Sequence, residues 1–316
     1  MATYLVTGGA GFIGSHLVDA LIARGETVRV VDNFATGSRE YIESVRDQIT
    51  FYEVDITDLE ALREPMEGVD YVLHQAAIPS VPRSIDNPIA THESCATGTL
   101  NVLIAARDAK VKRVVYAASS SAYGDNQSEY KSENMPPRPL SPYAVAKLVG
   151  EQYCQVFYTV YGLETVSLRY FNVFGPRQNP DSPYAAVIPR FIKAMLAGKQ
   201  PTIFGDGTQS RDFTYIDNIV EGNLLACKAD ARAAGRVINL ACGDNINLLE
   251  LVAAINDLLG TCIEPIFDAP RPGDVKHTRA DNRLARELLG FTPVVSFEEG
   301  LRRTLAWLRD AQFSHI

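Results

Sequence analysis

Two side chains in the stretch SPYAVAK, residues 141–147, have the types and spacing that proton chemistry needs. Tyr143 and Lys147 stand at i and i+4, so a helix puts them on one face. An ammonium close to a phenol favours the phenolate and lowers the tyrosine pKa. Such a pair can serve as a general base near neutral pH. The same spacing also describes an ordinary surface pair, so the residues around it must decide. Upstream, AASSSAYGD carries Ser119, Ser120 and Ser121 in a row. Three serines are costly as core and useful as hydroxyls. Near the N-terminus, TGGAGFIGS holds Gly8, Gly11 and Gly14. Gly8 permits a tight turn, Gly11 lets the backbone approach a pyrophosphate, and Gly14 lets a helix pack closely on its strand.

These groups need elements to position them. TYLVTG is a short apolar strand leading into the glycine loop, and FIGSHLVDALIARG has helical spacing with Gly25 as its stop. TVRVVDN is a second strand ending at Asp32, and ITFYEVD a third ending at Asp55. Asp58 is expected to cap a helix running to about Met66. VDYVLHQAA is a fourth strand, a long helix follows Pro88 to Ala109, and KRVVYAASS is a fifth strand that ends in the serines. Tyr143 opens another long helix, and ETVSLRYFN is a sixth strand. Strands alternating with such helices imply parallel βαβ units, hence an α/β fold with a doubly wound sheet. Strand ends in that fold meet at the ligand crevice, which brings a serine hydroxyl, Tyr143 and Lys147 to one place. Asp32 can bond both hydroxyls of an adenosine ribose and would repel a 2′-phosphate; Asn33 follows it where an arginine would suit the phosphate. NAD is therefore expected over NADP.

After about residue 175 the rhythm changes. GPRQNPDSPY and APRPGD read as loops, with short elements between them. Residues 1–175 are expected to form the cofactor domain, with some later segments returning to it, and 176–316 mainly a smaller substrate domain.

Composition narrows the functional classes. The 316 residues are 46% hydrophobic and 22% charged, ordinary for a globular chain. A net charge of −8 without a basic run argues against nucleic acid or an anionic membrane as partner. The five cysteines are scattered and form no C-x-x-C, which fits a reducing cytosol and no zinc site. The five histidines have no metal-ligand spacing. No segment approaches the roughly 18 apolar residues of a membrane span. A soluble cytoplasmic protein is expected.

TGGAGFIGSHL, SSSAYGD, SPYAVAK, RYFNVFGPRQ, RDFTYIDN and RPGDVKHTRAD, in that order, give the chain a family likeness over nearly its whole length. It resembles an extended short-chain dehydrogenase/reductase of the nucleotide-sugar-modifying kind, closest in pattern to the NAD-dependent UDP-sugar 4-epimerases. The resemblance implies that Ser119, Tyr143 and Lys147 are the catalytic residues. Tyr143 as tyrosinate takes the proton of the sugar 4-hydroxyl, Lys147 lowers its pKa and bonds the nicotinamide ribose, and Ser119 donates to the oxygen at C4. It implies a cofactor shell of Gly8, Gly11, Phe12, Ile13, Gly14, Asp32, Asn33, Asp55, Ile56, Gln75, Ala76 and Ala77 together with Tyr143 and Lys147. Ser120 and Ser121 help hold the keto intermediate; Asn172, Arg211, Arg271 and Asp274 meet the diphosphate end; Val187 and Phe204 enclose the uracil. Two arginines converging on a pyrophosphate suit bidentate recognition.

Relatives that eliminate water or carbon dioxide carry a carboxylate just after the catalytic serine. Ser120 and Ser121 stand there, so 4-epimerisation is the simplest remaining outcome. Thr278 falls where the family gates the hexose pocket, and a small residue leaves room for a 2-acetamido group. UDP-N-acetylglucosamine and UDP-glucose are the expected substrates. UDP-glucuronate ranks lower, because Asn179 stands where uronic-acid epimerases carry an arginine. A binding protein that kept the fold and lost turnover is the alternative from another class. Cys95 occupies a position where relatives usually have asparagine, and is expected to be buried and apolar in role. The resemblance further implies a homodimer built on a four-helix bundle from the two long helices.

Overall fold

The computed structural model describes residues 1–126, 128–182, 185–270 and 276–313, without the side chains of 311–313. Six of the strands come in the expected order: β1 (Thr3–Thr7), β2 (Thr27–Asp32), β3 (Thr50–Glu53), β4 (Tyr71–His74), β5 (Arg113–Ser119) and β6 (Glu164–Tyr170). β1, β5 and β6 are buried along nearly their whole length. That pattern belongs to parallel strands covered by helices on both faces. A seventh strand, Arg236–Leu240, pairs with β6, and the sheet runs Arg236–Leu240, β6, β5, β4, β1, β2, β3. Every pairing in it is parallel. The order reverses between β1 and β4, and a crevice opens beyond the carboxyl ends of those two strands.

The helix Pro142–Tyr161 starts and stops for local reasons. Ser141 Oγ accepts a hydrogen bond from Ala144 N at 3.2 Å, and Pro142 sits where its missing N–H costs nothing. Gly162, at φ +72°, ends it. The helical run expected from Pro88 is present as Pro88–His92, a π-helical turn Glu93–Thr97, and Gly98–Asp108. The helix expected from Asp58 to Met66 is not: only Arg63–Met66 is helical, and Asp58 Oδ1 instead accepts from Ala61 N within a turn. Pro65 explains the difference. Deep in a longer helix it would clash with the carbonyl four residues back, whereas it is tolerated in the first turn of a short one.

In the C-terminal part the helix Ile216–Lys228 lies against the large sheet and leads toward the strand Arg236–Leu240. The other strands there are short. Ser210–Arg211 lies between Ile246–Asn247 and His277–Thr278, Thr202–Phe204 pairs with Ile266–Asp268, and Val173–Phe174 pairs with Thr214–Tyr215. No helix among the described residues is long and apolar enough to cross a membrane.

Candidate active site

The glycine loop is fixed by contact distances that leave no room for a side chain. A Cβ on Gly14 would stand 2.0 Å from the Gly8 carbonyl oxygen. Gly8 itself has φ +72°, and a Cβ there would meet Ala76 N and Cα at 2.7 Å. The turn after β1 thus packs directly on Ala76, just past β4. The helix Phe12–Ala23 begins at Gly11 with no side-chain cap, so the amides of Phe12 and Ile13 open a positive helix end toward the crevice.

Asp32 closes β2. Its Oδ2 accepts from Ala10 N at 2.9 Å and its Oδ1 from Phe34 N at 2.7 Å. Burial pushes its pKa up, and those amide bonds pull it back. Asp55 Oδ2 accepts from Asn33 Nδ2 at 2.8 Å, joining the turn after β2 to the turn after β3. Asn101, on the helix Gly98–Asp108, donates to the carbonyls of Ile56 and Thr57 and holds the second turn in place. Gln75 turns its side chain to Tyr170 and Asn223, in hydrogen bonds of 3.1–3.3 Å. A glycine turn without a Cβ, an uncapped helix end and a carboxylate at the end of β2 make a donor set that fits a dinucleotide with a free ribose diol.

Ser119, Tyr143 and Lys147 come together. Ser119 Oγ accepts from Ser121 N at 3.2 Å and from Ser121 Oγ at 2.8 Å. Tyr143, in the first turn of Pro142–Tyr161, is half-buried. Burial pushes its phenol up, and the hydrogen bond with Ser119 pulls it down. Lys147 is buried. Its Nζ donates to the Ala117 carbonyl at 2.9 Å and lies 5.1 Å from the centre of the Tyr116 ring. Burial lowers its pKa. Burial outweighs the Ser119 bond, so the phenol as a whole is raised above its usual value, while Lys147 Nζ is held on the β5 backbone.

Cys95 lies in the π-helical turn, fully buried, with Sγ 3.9 Å from the Ile78 carbonyl. It packs with Ala96 and Ala146, with Ala77 and Tyr143 beside them. Its surroundings are those of a small apolar side chain.

On the other side of the crevice a cavity of about 170 Å³ is lined by Asn172, Val187, Phe204 and Arg211, all anticipated, and by Arg190 and Gln209, which were not. Asn172 has φ +34°, and its Nδ2 donates to the Asp212 carbonyl at 3.1 Å and to Thr278 Oγ1 at 3.4 Å. Thr278 stands directly beside Arg211 in register. Arg211 Nη1 donates to the carbonyls of Ser210 and Lys276. Asn179 is exposed, and its Oδ1 accepts from Asp181 N. Arg271 and Asp274 lie outside the described residues. Asp212, also missed, is fully buried. Its carboxylate accepts from the amides of Cys242, Gly243 and Ala280 at 3.0–3.2 Å, and burial pushes its pKa up to about 7. It ties the Arg211 strand to the segment that follows Thr278.

Comparison with known proteins agrees with this geometry. The family model for the NAD dependent epimerase/dehydratase family matches residues 4–241. A UDP-N-acetylglucosamine 4-epimerase from Methanobrevibacter ruminantium, solved with UDP-N-acetylmuramic acid, is 40% identical, with a TM-score of 0.93 over 98% of this chain and 99% of that one. A UDP-glucose 4-epimerase from Thermotoga maritima, solved with UDP-glucose, is 38% identical at a TM-score of 0.93, with the same coverage. A UDP-glucuronic acid 4-epimerase mutant from Bacillus cereus, solved with a fluorinated UDP-glucuronic acid and NAD, is 36% identical at 0.91, again over 98% and 99%.

Proposed function

The chain belongs to the NAD dependent epimerase/dehydratase family, and from that premise we propose that it is a UDP-sugar 4-epimerase acting on UDP-N-acetylglucosamine and on UDP-glucose. The observation that carries the reading is the meeting of Ser119, Tyr143 and Lys147 beside a serine turn that has no carboxylate. NAD, when bound, supplies a hydride acceptor and donor for C4. Tyr143 takes the proton of the 4-hydroxyl and returns it after the sugar has turned over. Ser119 already accepts two hydrogen bonds from Ser121, which leaves its own proton to donate toward Tyr143 or the substrate oxygen. Lys147, with Nζ on the Ala117 carbonyl, keeps two further donor directions for the cofactor ribose. Elimination would need an acid or base at position 120 or 121, and both are serine.

Arg211 supplies charge for the diphosphate, and Val187 and Phe204 supply apolar walls for the base. Thr278 supports the acetamido sugar by the shortness of its side chain, which stands within hydrogen-bond reach of Asn172. The second reading, a UDP-glucuronate 4-epimerase, draws on the Bacillus cereus likeness. Against it, Asn179 brings no charge for the carboxylate.

A homodimer is part of the proposal, and the apolar surface supports it. Ile85 and Ile89 are 64% and 70% exposed beside the helix Pro142–Tyr161, which shows Val145, Val156 and Val160 on one stripe. Pairing that face with its copy gives a four-helix bundle; a monomer mass in light scattering at working concentration contradicts it. The five free cysteines, three of them buried, suit a reducing compartment.

The test of substrate is incubation with UDP-N-acetylglucosamine, UDP-glucose and UDP-glucuronate separately, followed by proton NMR of the anomeric signals. Conversion of the acetamido sugar is the expected result. Conversion of the glucuronate alone overturns the argument from Asn179, and conversion of UDP-glucose alone overturns the argument from Thr278.

A further inference from the structure

Glu151 and Arg169 form a buried ion pair that the chemistry above does not use. Arg169 Nε donates to Glu151 Oε2 at 2.9 Å and Nη2 to Oε1 at 2.6 Å, with 4% and 2% of the two side chains exposed. A buried pair of this kind seldom adds net stability over an apolar pair of the same volume. Its place suggests another reason. Glu151 lies one helical turn beyond Lys147 and two beyond Tyr143, on the same helix. Arg169 lies in β6 directly opposite Ala118, the residue before Ser119. Lys147 holds the Ala117 carbonyl, so successive turns of the helix grip neighbouring positions of β5 and β6. The Arg169 guanidinium also lies 4.5 Å from the centre of the Tyr123 ring, and Tyr123 ends the turn Ser120–Tyr123. The Tyr123 hydroxyl donates to Asn239 Oδ1 at 2.6 Å, which anchors that turn from the far side.

We propose that Glu151 and Arg169 are positioning residues: one guanidinium spans the helix that carries Tyr143 and Lys147 and the turn that carries the serines, and sets the separation between base and hydroxyl donors. The inference rests on the epimerase reading above. The pair is neutral as a whole and touches no reacting atom, so its effect falls on kcat through geometry. A displacement of about 1 Å at reacting groups costs about a hundredfold in rate.

The test compares wild type, Arg169→Lys and the double variant Glu151→Leu/Arg169→Met by steady-state conversion of a UDP-sugar, with Tm measured alongside. The double variant leaves no unpaired buried charge and is expected to keep a Tm near wild type while kcat falls at least about tenfold and KM stays within about threefold. Arg169→Lys keeps the charge and loses the planar fork; the same split is expected, with a smaller loss. A stable double variant with wild-type kcat overturns the inference, as does Arg169→Lys at full kcat, or a loss confined to KM. A wild type that converts no UDP-sugar overturns the functional reading, and this inference with it; an active wild type with undiminished variants overturns the inference alone.

Discussion

The two sides of the crevice are held in different ways. On the cofactor side, positions are set mainly by backbone atoms: Gly14 on the Gly8 carbonyl, Gly8 on Ala76, and the amides of Ala10 and Phe34 on the Asp32 carboxylate. On the substrate side, Arg211, Thr278 and Phe204 stand on strands of two or three residues, joined by side-chain bonds such as Asn172 to Thr278. Backbone packing admits few alternatives, so the first side is suited to one cofactor. Side chains on short strands change without disturbing the sheet, so the second side can vary in the sugar it accepts. Substitutions on the sheet side should therefore abolish turnover or folding, and those on the other side should weaken substrate binding or redistribute turnover among substrates.

The largest effect is expected from Tyr143→Phe, which removes the group that moves the proton and leaves the ring packing in place. Turnover should fall about a thousandfold while co-purified NAD stays near the wild-type amount, read by absorbance after denaturation. A variant that keeps a tenth of wild-type activity would break the assignment of Tyr143. Arg211→Ala acts across the crevice. It should raise KM for any UDP-sugar about 10- to 100-fold with kcat little changed, as expected for the loss of a charge-assisted bond to phosphate. An effect on kcat alone would place Arg211 nearer the chemistry than the cavity implies. Thr278→Tyr sharpens the comparison further, because it should alter choice without altering rate. Turnover of UDP-N-acetylglucosamine should drop about tenfold relative to UDP-glucose. An equal loss on both sugars would show that position 278 does not face the acetamido group.

The smallest change per step concerns stability. His74 is buried between Thr7 and Thr99, with hydrogen bonds of 2.7 and 3.0 Å. Burial, reinforced by the Lys147 charge, pushes its pKa down from 6.5 to about 3. Between those values the unfolded chain binds a proton that the folded chain refuses. Stability is therefore full above the unfolded pKa and declines as pH falls toward the folded one, by up to about 1.4 kcal/mol per pH unit. In His74→Gln, denaturant titrations over that range should show a shallower slope. An unchanged slope would mean that other groups control acid unfolding.

The same contrast governs what could be read from residues alone. β1, β2, β4 and β5 are short runs rich in apolar and β-branched residues, β6 alternates polar with apolar ones, turn residues bound them, and the chemistry sits at their ends, so the sheet, the glycine loop and the Ser119, Tyr143 and Lys147 cluster were legible. The strand Arg236–Leu240 did not stand out, because it is short, lies beyond the change of rhythm near residue 175, and has a partner, β6, distant in sequence. The π-helical turn at Glu93–Thr97 was invisible, since one extra residue in a helical turn barely shifts the apolar period. Pro65, seven residues beyond Asp58, is the sign in the sequence against a helix from Asp58 to Met66. Arg190 could have been found, lying one turn beyond Val187 on the helix Val187–Leu196. Asp212 could not: what makes it unusual is three backbone amides brought from Cys242, Gly243 and Ala280 by the tertiary fold.

The central claim is that hydrogen leaves C4 as hydride and returns to the same carbon without exchange with water. The most direct measurement is conversion of UDP-N-acetylglucosamine by freshly purified protein in D2O without added NAD, with the product analysed by NMR and mass. The account predicts the C4 epimer with protium at C4 and no gain in mass on carbon. Deuterium at C4, or no conversion while NAD remains bound, contradicts it.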